Sequence, residues 1–254
     1  MRLKDKVAVV TGGGSGFGAG IVRKFVAEGA QVVIADVNLE AAMDVAAACG
    51  PAARALRVDV TNPAQVALMM ETAELHFGRL DILVNNAGVT HLPAPLEDVD
   101  EADFDRVVAV NMKAIYHAMR EVVPRFKARA PGPHGIRGVV VNMASTAGVS
   151  PRPRLSWYNA SKGWVITATR ASAVELAPFG IRVCALNPVA GETPLLKSFM
   201  GEDTPEMRAK FLSTIPIGRF SQPEDLGNAA CFLASDEASM ITGVCMEVDG
   251  GRCI

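Results

Sequence analysis

Short uninterrupted apolar runs alternate along the chain with longer stretches whose apolar positions recur at helical spacing. The runs are Val7–Val10, Gln31–Ala35, Ala55–Val58, Ile82–Val84, Val139–Val141, Arg182–Leu186 and Val244–Val248. The helical stretches include Gly18–Glu28, Pro63–Phe77, Phe104–Phe126 and Trp157–Pro178. Alternation of this kind predicts a parallel sheet with helices on both faces. Strands covered on both faces read as continuous Val/Ile/Leu runs, as these do. The expected fold is α/β, a single doubly wound domain over residues 1–254 with about seven parallel strands.

Two stretches break the rhythm. His91–Val99 is proline-rich, and 187–216 mixes Leu195, Leu196, Phe199, Met200 and Phe211 with polar residues. A connection that long inside a compact domain usually serves as a lid or binding loop, so 187–216 is expected to cover a substrate.

Composition narrows the functional classes. Hydrophobic residues make up 50% of the 254 and charged residues 20%, which suits a globular protein with a large core. Lys+Arg 25 against Asp+Glu 27 leaves a net charge of −2, without the basic face that nucleic acid requires. The first residues pass directly into an apolar strand too short for a signal core, and no run of about 18 apolar residues exists. A cytoplasmic protein without a membrane span is expected. The cysteines at 49, 184, 231, 245 and 253 are scattered and odd in number, which predicts reduced thiols. Histidines 76, 91, 117 and 134 lack ligand spacing, so no metal is expected.

Chemistry-bearing residues fall at the ends of the predicted strands. Thr11-Gly12-Gly13-Gly14-Ser15-Gly16-Phe17-Gly18 follows the first strand and opens the first helix. Glycines there permit a tight turn and close approach of a pyrophosphate, which the helix N-terminus then attracts. Asp36 ends the second strand, where a carboxylate accepts hydrogen bonds from ribose hydroxyls and repels a 2′-phosphate. It therefore favours NAD over NADP; the alternative is that Asp36 caps the helix beginning near Leu39. Asp59-Val60 and Asn85-Asn86-Ala87-Gly88 end the next two strands. In parallel sheets ligands bind beyond these carboxyl ends.

Tyr158 and Lys162 stand at i, i+4 and share a helix face. A neighbouring ammonium favours the phenolate, which predicts a lowered Tyr158 pKa and an acid/base for an alcohol–ketone pair. The alternative is an exposed helix pair. Ser145, just after the fifth strand, is placed to hydrogen-bond the substrate oxygen. Asn111 lies in the Phe104–Phe126 pattern, where a buried amide needs partners. Either it orders a water connecting Lys162 to solvent, or it is exposed.

Together these motifs resemble the short-chain dehydrogenase/reductase family, in its smaller single-domain branch, over almost the whole chain. The likeness rests on Thr11-Gly12-x-x-x-Gly16-x-Gly18, Asp59, Asn86-Ala87-Gly88, Asn111, Ser145, Tyr158-x-x-x-Lys162 and Asn187-Pro188. It implies a Rossmann fold and hydride transfer between a nicotinamide cofactor, NAD, and a secondary alcohol or ketone. Tyr158 is implied as acid/base, and Lys162 as ligand of the nicotinamide ribose and modulator of Tyr158. Ser145 would polarise the carbonyl, and Asn111 would hold the relay water. Gly12, Ser15, Gly16, Phe17, Gly18, Asp36, Asp59, Val60, Asn86, Ala87 and Gly88 are implied cofactor contacts. So are Pro188, Val189, Gly191 and Thr193. The last segment departs from the family's Pro-Gly-x-Val/Ile-x-Thr: here Pro188-Val189-Ala190-Gly191-Glu192-Thr193 carries its glycine where a β-branched residue is usual. A homotetramer is also implied, joined through the two long helices and the last strand.

Substrate choice is expected from His91–Leu96, Val149–Trp157 and Leu195–Phe211. Arg152 or Arg154 would attract an anionic group, or else form a solvated rim or subunit contact. Three other readings share parts of this pattern. A 3-oxoacyl-carrier-protein reductase commonly uses NADPH, against Asp36. A dinucleotide sensor needs no proton relay. The sugar-nucleotide epimerase branch adds a C-terminal substrate domain, for which no length remains after Val244–Val248.

Overall fold

The computed structural model describes all 254 residues. Its strands are β1 Val7–Thr11, β2 Gln31–Asp36, β3 Ala53–Arg57, β4 Ile82–Asn85, β5 Gly138–Met143, β6 Ile181–Pro188 and β7 Cys245–Val248. Its helices are α1 Gly16–Ala27, α2 Leu39–Cys49, α3 Pro63–Phe77, α4 Glu101–Val108, α5 Ala114–Ala128, α6 Ser156–Leu176, α7 Leu196–Met200, α8 Pro205–Leu212 and α9 Pro223–Ala234. The strands form one seven-stranded sheet in the order β3-β2-β1-β4-β5-β6-β7. Every neighbouring pair is parallel. This is the doubly wound Rossmann arrangement the periodicity predicts.

The apolar runs are continuous because successive residues serve two different cores. Ala8, Val10, Val32, Ile34, Val84 and Val141 pack with Ile21, Phe25 and Leu226 on one face. Val7, Val9, Val33, Leu83 and Val140 pack with Met69, Val122 and Phe126 on the other. Period-2 alternation thus sends neighbours to opposite apolar layers, not to core and solvent. The exceptions are the edge strands: β3 has no buried residue, with Arg54 and Arg57 exposed, and β7 exposes Glu247. The apolar run Ala55–Val58 accordingly marks only part of β3, which spans Ala53–Arg57.

After β1 the chain winds one way through β2 and β3, then returns past β1 to β4. This reversal opens a crevice at the carboxyl ends of β1 and β4, the position where such sheets bind ligands. A buried polar chain ties the neighbouring layers together: Asn85 Nδ2 donates to Asn142 Oδ1 (2.9 Å), and Asn142 Nδ2 donates to Thr169 Oγ1 on α6 (3.0 Å).

The predicted helix Phe104–Phe126 begins earlier, at Glu101, where the Asp100 side chain caps the Asp103 N–H. It is also not a uniform α-helix, since Ala109–Lys113 is a π turn around Asn111. The connection 187–216 contains the end of β6 and the short helices α7 and α8. Its apolar residues Val189, Leu196, Met200, Phe211 and Ile215 form their own cluster with Phe220, apart from the two main cores.

Candidate active site

One cleft of about 550 Å³ runs along the carboxyl ends of the strands. All residues expected on the cofactor side line it, together with Ser145, Tyr158 and Lys162; Asn111 does not.

At the glycine-rich end, Gly12 (φ +61°) and Gly16 (φ +49°) hold left-handed backbone that side-chain-bearing residues rarely adopt. Gly18 is required for space: a Cβ there would lie 2.0 Å from the Gly12 carbonyl oxygen. The loop is locked to the end of β4. Asn86 Nδ2 donates to the carbonyls of Thr11 (2.8 Å) and Gly12 (3.0 Å), while Thr11 Oγ1 accepts from the N–H groups of Asn86 and Ala87. Ser15 precedes α1 without a side-chain cap. The first-turn N–H groups are therefore left for an anion in the cleft. This cradle fits the pyrophosphate of a dinucleotide.

Asp36 does not cap α2. Asn38 does, accepting from the Ala41 N–H. The Asp36 carboxylate instead accepts from the N–H groups of Gly14 and Asn38, both at 2.9 Å, and braces the glycine loop. Asp59 Oδ1 accepts from the N–H and hydroxyl of Thr61. No lysine or arginine lines this adenosine end, where Asp36, Val37, Val58, Asp59 and Val60 gather.

On the opposite wall, Ser145 follows β5. Its Oγ accepts from the Ala147 N–H at 3.0 Å, which leaves its own O–H free to donate. Tyr158 and Lys162 on α6 are 5% and 4% exposed, so the exposed-pair alternative falls. Phe199, on α7 of the 187–216 connection, meets the Tyr158 ring edge-on at 5.1 Å. Lys162 Nζ donates to the Met143 carbonyl at 2.8 Å and lies 5.8 Å from the centre of the Tyr158 ring.

This burial reverses the expected electrostatics. It pushes the Tyr158 hydroxyl up to about 12, with the Ser145 hydroxyl pulling the other way. It pushes the Lys162 ammonium down to about 8. The expectation of a Tyr158 pKa lowered by Lys162 is corrected on physical grounds. Desolvation penalises both charged forms, and the ammonium is committed to a carbonyl.

Asn111 is 1% exposed, which removes the exposed alternative. Its Oδ1 accepts from the Val89 N–H, and its Nδ2 donates to the Val89 carbonyl and to Ser161 Oγ. The amide thus braces the segment after Gly88 against α6, with one acceptor site of Oδ1 still open.

The departure at Gly191 has a structural cause. A Cβ there would sit 2.2 Å from the Phe17 ring, so the glycine makes room for that aromatic in the cleft wall. Of the three segments expected to choose substrate, 149–157 contributes Arg152 and Leu155 to the lining. The lid contributes Leu195, Phe199 and Phe211, whereas His91–Leu96 contributes nothing. That segment is held aside, with Ala94 N–H donating to the Arg154 carbonyl and Trp157 Nε1 to the Leu96 carbonyl. The lining residues Leu155, Asn159 and Ala190 lie within recognised segments, but no periodicity or motif singles them out.

A family model described as enoyl-(acyl carrier protein) reductase matches residues 12–252. A 4-formylbenzenesulfonate dehydrogenase of Comamonas testosteroni is 46% identical over 258 aligned positions, covering 100% of both chains. A galactitol 2-dehydrogenase of Agrobacterium fabrum is 39% identical, covering 99% of each. Among solved structures, a 3-ketoacyl-(acyl-carrier-protein) reductase from Brucella melitensis in complex with NADH superposes with a TM-score of 0.93. It shares 49% identity over 99% of this chain and 100% of that one.

Proposed function

The chain belongs to the short-chain dehydrogenase/reductase family of oxidoreductases, and on that premise we propose that it interconverts a secondary alcohol and a ketone using NAD(H). The observation that carries this reading is the convergence of Ser145, Tyr158 and Lys162 on one wall of a cleft whose far end is a phosphate-sized glycine cradle.

A nicotinamide dinucleotide bound along the cleft supplies or accepts the hydride; such chemistry belongs to the cofactor and its positioning to the protein. In reduction, the Ser145 O–H donates to the substrate oxygen and polarises the carbonyl. Tyr158 Oη delivers the proton that balances the incoming hydride. In oxidation the same atom takes the proton back. Lys162 stands beside Tyr158 and the Met143 carbonyl, positioned to hold a ribose hydroxyl. Asn111 is a positioning residue that fixes Gly88 and Val89. Its Oδ1 accepts one bond and keeps a second acceptor site for a relay water toward Lys162. The homotetramer implied by the resemblance remains part of this proposal; exposed Tyr116 on α5 and Val174 on α6 are surfaces it would cover. No helix is long and apolar enough to cross a membrane.

The test is a screen at 340 nm, pairing both nicotinamide cofactors with secondary alcohols, polyols, hydroxy acids and 3-hydroxyacyl thioesters, and the matching ketones in reverse. Turnover with NAD(H) supports the proposal. Dinucleotide binding without turnover on any of them favours a sensor instead.

NAD preference rests on Asp36 and on the lack of a cation for a 2′-phosphate. Hydrogen bonds to a charged acceptor contribute about 1.5–3 kcal/mol, and charge repulsion adds to the discrimination. Asp36→Asn keeps an acceptor while removing the charge. It is expected to lower the NAD/NADP ratio of kcat/KM by about tenfold or more. An unchanged ratio would take Asp36 out of cofactor choice.

The pH profile follows from the burial. A tyrosine raised to about 12 keeps its proton, so reduction does not weaken through Tyr158 ionisation between about pH 6 and 9. Oxidation needs the proton acceptor, so it rises with pH. With Tyr158 raised to about 12, that rise continues without levelling through about pH 9. Profiles of kcat/KM in both directions check this; a reduction rate falling through pH 6–7 would assign the proton to another group.

A further inference from the structure

The relatives differ in whether the molecule they are named for carries a charge, so that question falls to the pocket itself. Two acidic residues line the cleft, Asp36 and Asp59, both at its adenosine end. Near the lid stands Arg152. It lines the cleft, lies 4.3 Å over the ring of lid residue Phe211, and donates from Nη2 to Thr214 Oγ1 at 3.1 Å. No ion pair of the molecule includes it. None of its nitrogens is both buried and unpartnered, so its remaining N–H groups reach the water of the cleft.

Arg252 adds a charge of the same sign. Arg252 donates to Ser150 Oγ at 3.1 Å, and its Nε is buried without any partner. Burial and Arg252 together push the Arg152 pKa down from its ordinary value, yet a guanidinium stays charged under working conditions. A guanidinium in the cleft wall with no carboxylate at ion-pair distance is unfavourable in an empty protein and favourable around an anion. Arg154 is different: at φ 66° its chain turns away, and its guanidinium meets the Pro93 carbonyl on the surface.

We propose that Arg152 binds a carboxylate or sulfonate carried on the body of the substrate, remote from the reacting carbon. This inference rests on the alcohol–ketone reading of the same cleft and names its substrate class: a compact ketone or alcohol with an apolar middle and one terminal oxyanion. The spacing is fixed by the fold, because Asn159, next to Tyr158, donates from Nδ2 to the Arg152 carbonyl at 2.7 Å. Asn159 Oδ1 is buried and unpartnered in the same wall. Phe199 over Tyr158 and Phe211 under Arg152 supply apolar walls between the two points. Arg152 lies beneath the lid, so the anion belongs to the reacting molecule and not to a carrier docked outside. The anion passes through unchanged while one hydride and one proton add across the C=O bond.

Matched ketones test this: 4-acetylbenzoate and 4-acetylbenzenesulfonate against acetophenone, and 4-oxocyclohexanecarboxylate against its methyl ester, each with NADH. The charged member is expected to have kcat/KM at least about thirtyfold higher, with an advantage that shrinks as salt rises. Arg152→Gln should bring that ratio to within about threefold of one, and Arg152→Lys should retain an intermediate ratio. Calorimetry with benzenesulfonate against benzenesulfonamide reads anion binding without turnover. The sulfonate should bind at least about tenfold tighter, and Arg152→Gln should remove the difference.

Equal turnover of charged and neutral ketones overturns the anion site alone. An equal fall on both members of a pair in Arg152→Gln assigns Arg152 a structural role and overturns it too. So does a preference for acetoacetyl-CoA over every compact anion. Selective benzenesulfonate binding without turnover of any ketone keeps the anion site and overturns the alcohol–ketone reading.

Discussion

Replacing Tyr158 with phenylalanine is expected to lower kcat about a thousandfold, the scale of a general acid/base contribution, while dinucleotide affinity stays within about threefold. The substitution removes one oxygen and keeps the ring, so the edge contact with Phe199 and the course of α6 persist. What disappears is the phenolic hydroxyl, the acid/base of the wall that Lys162 and Ser145 share. Ser145 does not replace it, because an aliphatic hydroxyl is a far weaker acid than a phenol and its O–H is committed to polarising the substrate oxygen. Stopped-flow measurement of the hydride step together with NADH fluorescence titration separates chemistry from binding. Near-normal turnover would remove Tyr158 from the mechanism. A parallel loss of NADH binding would make it a structural residue of the cleft.

The parts of this site that the sequence made legible are those fixed by backbone chemistry. Strand ends carry ligands in a parallel sheet, so Gly12–Gly18, Asp36, Asp59 and Asn86–Gly88 could be assigned to one crevice before any coordinates. Strands buried on both faces announce themselves as unbroken apolar runs, whereas edge strand β3, with Arg54 and Arg57 toward solvent, blurs at its start. The π turn at 109–113 leaves no periodicity signal, since it changes the repeat by one residue over a single turn. Helices α7 and α8 are likewise too short to show a helical period.

The electrostatics were legible least of all. An i, i+4 Tyr–Lys pair looks the same in a sequence whether water or Phe199 covers it, yet the cover decides the sign of the pKa shift. Arg152 and Arg154 are equivalent in a sequence; the left-handed backbone at Arg154 separates one guanidinium in the cleft from another on the surface. His91–Leu96 shows the converse error. A proline-rich loop beside a strand end looks like a substrate wall until Trp157 and Arg154 are seen holding it aside.

Gly18→Ala is expected to be the most damaging single-methyl change in the molecule's cofactor half. The added carbon would lie 2.0 Å from the Gly12 carbonyl oxygen and 2.5 Å from Asn86 Nδ2, distances that no rotamer can relieve because one neighbour is backbone. The glycine loop must therefore move off β4. That movement breaks the bonds from Asn86 to the Thr11 and Gly12 carbonyls. Overpacking costs about 1–3 kcal/mol, and each lost hydrogen bond about 1 kcal/mol more. For a chain of this size the sum lowers Tm by roughly 5–15 °C. The displaced N–H groups no longer converge on a phosphate, so dinucleotide affinity should fall by about a hundredfold or more. Gly163→Ala is the control. It adds the same methyl to helix α6, one residue from Lys162, where the nearest atom lies 4.0 Å away. There the gain in helix propensity is expected to raise stability by about 0.5–1 kcal/mol. Thermal melts and NADH titrations of the two variants decide the matter. A Gly18→Ala protein that melts and binds like its parent would mean that the loop has slack which these contacts deny.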